Sequence, residues 1–176
     1  MKKLLFALSA ISLCTLLSCS GGNSGGMSEK AKKNLATADA IAKMFESGDY
    51  SKTGDYIAND AVDHAGGMGD VVGLDSIKAE FAHMGQTMSN MKNEAVKELA
   101  DDDYVFQWMK ESGTMTKDEM GMKAGQSYSF NIIEVSKFNN DGKLSEHWSF
   151  MDVRDMMKMM PQQGDMGGKM DTTMHK

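Results

Sequence analysis

Four extended segments in the second half of the chain restrict its fold more than any other feature. They cover residues 93–101, 103–116, 126–139 and 143–151, and Gly, Asn or Asp turn residues separate them. The tightest connection ends in Asp141-Gly142, a pair suited to the positive backbone angles of a β-hairpin. Neighbouring strands with such short connections predict an antiparallel sheet.

Helical periodicity precedes these strands. Ser28 can cap a helix whose apolar residues recur every three or four positions as far as Phe45, and Gly48 is suited to end it. A second apolar stripe begins at Leu74 and continues to Met91. This stripe predicts an amphipathic helix of about five turns, whose methionines pack in the core.

Shorter elements are predicted between the two helices. Residues 50–59 suggest a short helix, and residues 61–65 alternate like a strand before a Gly-rich loop. Helices first and strands later is the α+β order, so we expect the helices to pack on one face of a curved antiparallel sheet. The chain has 176 residues, which suits one domain with short appendages.

The first residues have the layout of a secretory signal, in which two lysines precede an apolar run over 4–17. The sequence Leu16-Leu17-Ser18-Cys19 resembles the bacterial lipobox, in which the cysteine becomes the first mature residue and carries lipid. These features predict a leader over 1–18, a lipidated Cys19 with a flexible linker over 19–28, a folded domain over 29–155, and a Met-rich, disordered tail over 156–176.

Two outcomes remain open for this leader. Lipid on Cys19 would hold the domain at a membrane of the cell envelope, because several acyl chains on one residue give durable anchoring. Cleavage by the ordinary signal peptidase would instead release a periplasmic protein with one free thiol. Cys14 would be removed with the leader, so no disulfide is expected in the folded domain.

Charge and motifs exclude several functional classes. The net charge is −6, with 25 acidic against 19 basic residues, which argues against a nucleic-acid partner. The sequence has no G-x-S-x-G nucleophile motif and no phosphate- or dinucleotide-binding glycine pattern. Its four histidines lack the spacing of zinc ligands. We therefore expect neither a cofactor nor a metal in the domain.

Several short motifs occur in an order that resembles a known family. Val62-Asp63-His64 precedes Gly73-Leu74-Asp75-Ser76-Ile77, then Asp103-Tyr104-Val105 with Gly113-Thr114, and finally Asp141-Gly142-Lys143-Leu144-Ser145-Glu146-His147-Trp148 with Asp152. Over residues 31–155 this order resembles the SnoaL-like polyketide cyclase family of the nuclear transport factor 2-like superfamily. The resemblance implies a cone-shaped sheet that wraps around helices and leaves an internal pocket. Family members include aldol cyclases and relatives of ketosteroid isomerase.

Strand alternation selects candidate pocket residues, because alternate side chains face the same side of a sheet. In one strand Glu134 continues the face of Phe130, and in the last strand Asp152 shares the face of Trp148. We expect His64, Glu134 and Asp152 to converge in a cavity with aromatic walls. His147 faces away from Trp148 and is assigned a structural or interfacial role. The side chains predicted to bind ligand are Tyr104, Trp108, Phe130, Glu134 and Trp148, and Phe106 also lines the walls.

Three functions fit these predictions. The least demanding is a membrane-anchored protein that binds a small apolar or aromatic molecule in its pocket. An acid/base enzyme of the aldol cyclase or isomerase type would use Asp152 and His64, since burial raises the pKa of a carboxyl group and suits it to proton transfer. The third is copper binding by methionines of the tail. Apolar residues on the outer face of the sheet would also suit a homodimer.

Overall fold

The computed structural model describes residues 26–66, 69–119 and 121–159, and these have the predicted α+β order. The helices are α1 (Glu29–Ser47), α2 (Thr53–Tyr56), α3 (Leu74–Thr87) and α4 (Val153–Met159). The strands are β1 (Ile57–Asp63), β2 (Val71–Val72), β3 (Met88–Ala100), β4 (Tyr104–Met115), β5 (Ser127–Phe138) and β6 (Leu144–Met151). The four strands predicted in the second half of the chain are confirmed as β3 to β6.

The described strands form one curved, open sheet of six strands in the order β2-β1-β6-β5-β4-β3. Strands β3 to β6 form an antiparallel meander, whereas β1 runs parallel to β6. Register shifts interrupt β3 between Ser89 and Lys92 and between Ala95 and Lys97. Bulges of this kind bend a sheet. Helices α1 and α3 pack against the bent sheet, which confirms the predicted architecture.

Helix α1 begins and ends where its capping residues predict. The Oγ of Ser28 accepts a hydrogen bond from the backbone N–H of Ala31 at 2.9 Å. At the other end Gly48 has a φ of 68°, and its N–H donates to the Met44 carbonyl at 2.9 Å. Glycine takes this left-handed conformation without strain, so both ends of the helix follow from local sequence.

Helix α3 is shorter than its apolar stripe predicts, because it ends at Thr87 and Met88 already belongs to β3. The Oγ1 of Thr87 donates to two carbonyls of the last helical turn, each at 3.2 Å. The N–H of Thr116, just beyond β4, donates to the Thr87 carbonyl at 2.8 Å. This contact fixes the end of the helix beside β4, and the prediction that the helix continues to Met91 is wrong.

Helix α2 is a single turn, where the sequence predicts a helix over 50–59. Ile57 is fully buried and pairs with Leu144 in the parallel register of β1 and β6. The strand β1 therefore begins four residues before the predicted strand at residue 61, because pairing with a distant strand outweighs the local helical pattern.

Apolar side chains on the inner side of the sheet form two clusters. The helix core joins α1 and α3 to the sheet and comprises Ala38, Ile57, Ala58, Ala61, Ile77, Phe81, Val105, Phe138 and Leu144. The methionine cluster comprises Met109, Met115, Met122, Tyr128, Phe130 and Ile132. Met88 and Met151 pack against the methionine cluster.

Gly113 provides the space for an aromatic ring in the methionine cluster. It lies opposite Tyr128 in the register of β4 and β5. A Cβ atom at position 113 would lie 2.5 Å from the Oη of Tyr128 and 2.7 Å from its Cζ. The Tyr128 ring is buried and stacks on Phe130, with ring centroids 5.5 Å apart. The ring therefore cannot move aside without disturbing the cluster.

We expect Gly113→Ala to lower the free energy of unfolding by about 1–3 kcal/mol, because it overpacks this cluster. Urea denaturation measures the change. Gly54→Ala is the matched control, since a Cβ atom there would meet Leu74 Cδ2 at 3.5 Å, an ordinary contact. The control should leave stability unchanged or slightly raised. Equal stability of the Gly113→Ala variant and the unmodified protein would contradict the crowding argument.

Candidate functional site

Polar side chains occupy the middle of the inner face of the sheet. On β5, Glu134 lies between the apolar residues of the methionine cluster and those of the helix core. The register places Glu134 beside Ser149 of β6, and it places His147 beside Asp63 of β1. Glu111 occupies an inward position on β4 and lies opposite Phe130. The strands β4, β5, β6 and β1, which are consecutive in the sheet, thus direct polar groups to one region.

His147 links two of these carboxyl groups. Its Nδ1 lies 3.0 Å from Asp63 Oδ1, and its Nε2 lies 2.7 Å from Glu134 Oε2. The side chains of His147, Asp63 and Glu134 are 22%, 13% and 16% exposed. They are therefore partly accessible although they lie within the fold. The Oγ of Ser149 donates to Glu134 Oε1 at 3.2 Å and holds that carboxyl group from a second side.

The two carboxyl groups determine the protonation of His147. Burial alone would lower the pKa of His147, but hydrogen bonds to Asp63 and Glu134 and their charges raise it to about 10. Burial would raise the pKa of Asp63, but its bonds from His147 and the Ala65 backbone keep that pKa below its usual value. His147 is therefore protonated at neutral pH, and both of its N–H groups are occupied.

Two further carboxyl groups complete the acidic part of the site. Burial, followed by the charge of Glu134, raises the pKa of Glu111 to about 7. Burial and then the charge of Asp63 also raise the pKa of Glu80, which α3 contributes. The Oε2 of Glu80 is buried and has no hydrogen-bond partner among the described residues.

Two phenols lie beside the carboxyl groups. Burial and then the nearby Glu111 and Tyr50 raise the pKa of Tyr128 to about 12, so its hydroxyl keeps its proton. That hydroxyl donates to the sulfur of Met88 at 3.4 Å. The hydroxyl of Tyr50 is buried and, within the described ranges, has no hydrogen-bond partner. The interior polar site thus comprises Tyr50, Asp63, Glu80, Glu111, Tyr128, Glu134, His147 and Ser149.

The three residues expected to converge do not do so. Glu134 lies in the interior polar site, as the strand pattern indicates. His64 lies on the opposite side of the sheet, where its ring stacks on Trp148 at 4.8 Å and its Nδ1 lies 3.1 Å from Asp70. Asp152 is exposed, because β6 ends at Met151. Its carboxyl group accepts hydrogen bonds from the backbone and guanidinium of Arg154 at the start of α4.

Most of the expected aromatic walls also lie on the outer face. Phe130 is buried in the interior, but Trp108 and Phe150 are 48% and 56% exposed. Gln107, not Trp108, pairs with Glu134, so Tyr104, Phe106 and Trp108 alternate to the other side. Trp148 shares that side, because its neighbour His147 points inward. The prediction that these aromatic side chains lie beside Glu134 is therefore wrong, except for Phe130.

His147 is the central residue of the interior polar site, although the sequence pattern predicts a structural or interfacial role for it. The inference that it faces away from Trp148 is correct, but the interior lies on the His147 side. One signal was present in the sequence: Lys137 and Glu146, which form an ion pair at 2.5 Å, lie opposite each other in neighbouring strands. A charged pair of this kind marks the solvent side of a sheet, and Trp148 shares the alternation of Glu146.

Two surface hollows lie away from the interior polar site. One, of about 230 Å³, is lined by Asn59 and residues 72–76, and the other, of about 420 Å³, is lined by residues 26–28, Ala31 and residues 100–103. No group of three or more His, Cys, Asp or Glu side chains in the described ranges is arranged to hold a metal ion. No helix within those ranges is long and apolar enough to span a membrane.

Several predicted features lie outside the described residues. They are the leader over 1–18, the lipidated Cys19 and most of the Met-rich tail, from residue 160 onward. Leader cleavage, lipidation and copper binding by the tail therefore stay predictions. Of the tail methionines that are described, Met156 and Met157 are exposed.

We expect Glu111→Gln to increase stability at alkaline pH. The folded chain holds a proton on Glu111 up to about pH 7, whereas an unfolded glutamate releases it near 4.5. The free energy of unfolding therefore falls as the pH rises from 4.5 to 7, and this loss of stability is complete above pH 7. Urea denaturation should show the variant and the unmodified protein equal near pH 4.5, with the variant about 1–3 kcal/mol more stable at pH 8. Exposed Glu94→Gln should show no such dependence, and a difference that does not vary with pH would contradict the burial of Glu111.

Comparisons with known proteins agree with this fold. A family model described as SnoaL-like polyketide cyclase matches residues 36–162. A search of curated proteins finds no match. A SnoaL-like protein from Jannaschia sp. CCS1 superimposes with a TM-score of 0.68 at 13% identity, covering 78% of this chain and 98% of that one.

Two further solved structures share the architecture. IdmH from Streptomyces antibioticus has a TM-score of 0.60 and 21% identity over 72% of this chain and 96% of its own. An LEH-like epoxide hydrolase from M. tuberculosis has a TM-score of 0.62 and 14% identity over 74% of this chain and 91% of its own. At such identities the likeness concerns the fold. Because the family model covers most of the chain, the protein belongs to the SnoaL-like polyketide cyclase family and has the nuclear transport factor 2-like fold.

Proposed function

We propose that this domain binds a small organic molecule between the methionine cluster and the interior polar site. The observation that carries the proposal is the bridge from Asp63 through His147 to Glu134, whose side chains keep partial exposure inside the fold. A buried ion pair contributes little to stability compared with apolar residues of similar volume. Clusters of charged groups with shifted pKa values are typical of functional sites.

The neighbouring apolar surface suits an aromatic or aliphatic part of the ligand. The rings of Tyr128 and Phe130 stack, and the flexible side chains of Met109, Met115 and Met151 lie around them. Thioether side chains adapt to ligands of varied shape. A ligand with one apolar and one polar end would thus have complementary surfaces on adjacent parts of the same inner face.

Acid/base turnover is a second candidate, and the pKa of Glu111 favours it. A carboxyl group with a pKa of about 7 is present in both protonation states at neutral pH, which suits proton transfer beside a carbonyl group. His147 does not suit the role of base, because its raised pKa of about 10 keeps it protonated. This candidate assigns proton transfer to Glu111, in place of Asp152 and His64.

The amino-terminal sequence supports a location of this domain at a membrane of the cell envelope. A lipid on Cys19, followed by a flexible linker of Gly and Ser residues, would tether the domain to a membrane of the cell envelope. The domain would then meet small molecules that pass through that compartment. This anchoring rests on the leader and lipobox pattern of the sequence.

Acetophenone tests binding and turnover together. Spectra of protein labelled with ¹³C-methyl methionine should show shifts for Met109 and Met115 with a Kd on the order of 1 mM. Phe130→Leu should weaken binding about threefold or more, because it removes part of the aromatic wall, whereas the outer Phe150→Leu should leave the Kd unchanged. Equal effects of the two variants would contradict an interior binding site.

The same samples in D₂O distinguish the two candidates. A binding protein leaves the methyl protons of acetophenone to exchange at the rate seen in buffer. An acid/base enzyme accelerates deuterium incorporation, and Glu111→Gln removes the acceleration while the methionine shifts persist. Acceleration that survives Glu111→Gln would contradict the assignment of proton transfer to that residue.

Lipidation is tested by detergent-phase partitioning of the full chain expressed in a Gram-negative host. The unmodified protein should enter the detergent phase and incorporate labelled palmitate, because Cys19 would carry acyl chains. Cys19→Ala should remain aqueous and unlabelled. Cys14→Ala is the matched control and should behave as the unmodified protein. Equal partitioning of the two variants would contradict lipidation at Cys19.

A further inference from the structure

The outer side of the sheet carries an exposed apolar patch. The register places Leu99 of β3 beside Phe106 of β4, and it aligns Trp108 of β4 with Ile133 of β5 and Phe150 of β6. The two rows are adjacent, because Phe106 and Trp108 are alternate residues of one strand. These five side chains, the outer apolar patch, are between 45% and 61% exposed. A group of aromatic and aliphatic side chains that stays this exposed is typical of an interaction surface.

Basic side chains border the outer apolar patch on β3 and β4. Lys97 lies opposite Trp108, and Lys110 is the next outward residue of β4. Both lysines are exposed, and neither forms an ion pair within the described ranges. Lys92 shares this side, and Glu94, opposite Lys110, is the one acidic side chain among the paired outward residues of the two strands. This border is therefore basic, although the net charge of the chain is −6.

The chain enters the domain beside the outer apolar patch. Residues 26–28 line the larger surface hollow together with residues 100–103, which connect β3 to β4. The Oγ of Ser28 donates a hydrogen bond to the carboxyl group of Asp102, and this contact fixes the entry point at the connection. Leu99 precedes the connection, and Phe106 follows residue 103 by about 10 Å at the rise of a β-strand.

A lipid on Cys19 would hold this end of the sheet close to a bilayer. Residues 20–25 have the composition of a flexible Gly and Ser linker. A coil of this kind separates Cys19 from Gly26 by about 15 Å on average and by at most about 24 Å. The outer apolar patch is therefore within reach of the lipid surface, and the tether raises its local concentration there.

We propose that the outer apolar patch is a membrane-docking surface, which lies against the bilayer that carries the Cys19 anchor. Its aromatic and aliphatic side chains enter the boundary between headgroups and acyl chains, where tryptophan is favoured. Lys97 and Lys110 contact lipid phosphates while their aliphatic stems remain on the patch. Phosphates complement these lysines, whereas a second copy of the chain presents the same basic border. The inference rests on the proposed anchoring and adds the orientation of the domain, with its helices directed away from the membrane.

The tryptophans of the chain report this contact directly. The sequence has two, and the Trp148→Phe variant leaves Trp108 as the reporter within the outer apolar patch. The full chain, expressed in a Gram-negative host, is reconstituted at a high lipid-to-protein ratio into vesicles of phosphatidylcholine and phosphatidylglycerol. Bromine atoms on the acyl chains quench only tryptophans that come into contact with them. We expect brominated vesicles to lower the emission of Trp108 about twofold or more relative to unbrominated vesicles.

Charge variants in the same background locate the docking surface. Lys97→Glu and Leu99→Asp place negative charge at the patch, and each should restore about half or more of the lost emission. Lys52→Glu is the matched control for Lys97→Glu, because it makes the same change at an exposed lysine beside α2, which packs against α1 and α3. The control should keep the full quenching. Urea denaturation confirms that each variant is folded.

Flotation of the vesicles separates this inference from the anchoring on which it rests. If the chain floats with the vesicles but brominated lipid leaves the emission of Trp108 unchanged, the docking surface is wrong and the anchoring stands. A dimer in solution would then assign the patch to a second copy. Equal effects of Lys97→Glu and Lys52→Glu would also overturn the docking surface. A chain that does not float with the vesicles would contradict both the anchoring and the docking.

Discussion

The bridge from Asp63 through His147 to Glu134 is the interaction on which the rest of this site depends. It joins β1, β6 and β5 at the point where the sheet departs from its antiparallel meander and β1 runs parallel to β6. Removing one partner from a buried pair leaves an uncompensated charge, which typically costs about 3–5 kcal/mol. The same bridge holds His147 protonated and determines the charges that Glu111 and Glu80 experience. The pairing of β1 with β6 and of β6 with β5 therefore also determines the electrostatics of the site.

Local signals predicted the elements of the fold, and long-range pairing determined their limits. The caps at Ser28 and Gly48 act within one helical turn, so sequence alone located α1. The boundary between α3 and β3 was missed because the methionines near Thr87 suit either an amphipathic helix or a buried strand. The contact from Thr116 to the Thr87 carbonyl decides between them, and a window of sequence cannot contain it.

The candidate site was predicted only in part, for a reason inherent to strand alternation. Alternation states which side chains share a face, but it does not state which face is inside. Glu134 and Phe130 were placed correctly, since their strand alternates clearly between apolar and polar residues. His147 was placed outside because Trp148 was assumed to be buried. Asp63 and His147 are 84 positions apart, and only the parallel pairing of β1 with β6 brings them together.

Part of the sheet therefore departs from the usual distribution of side chains. Trp108, Ile133 and Phe150 form an exposed apolar row across three strands, while carboxyl groups and an imidazole occupy part of the interior. An interior chosen for stability alone would exchange these groups, because apolar burial is favourable and buried charge is costly. The cost falls on groups that β1, β4, β5 and β6 direct to one region of the inner face. Charged groups kept inside the fold at such a cost are typical of a functional site rather than of a core that serves stability alone.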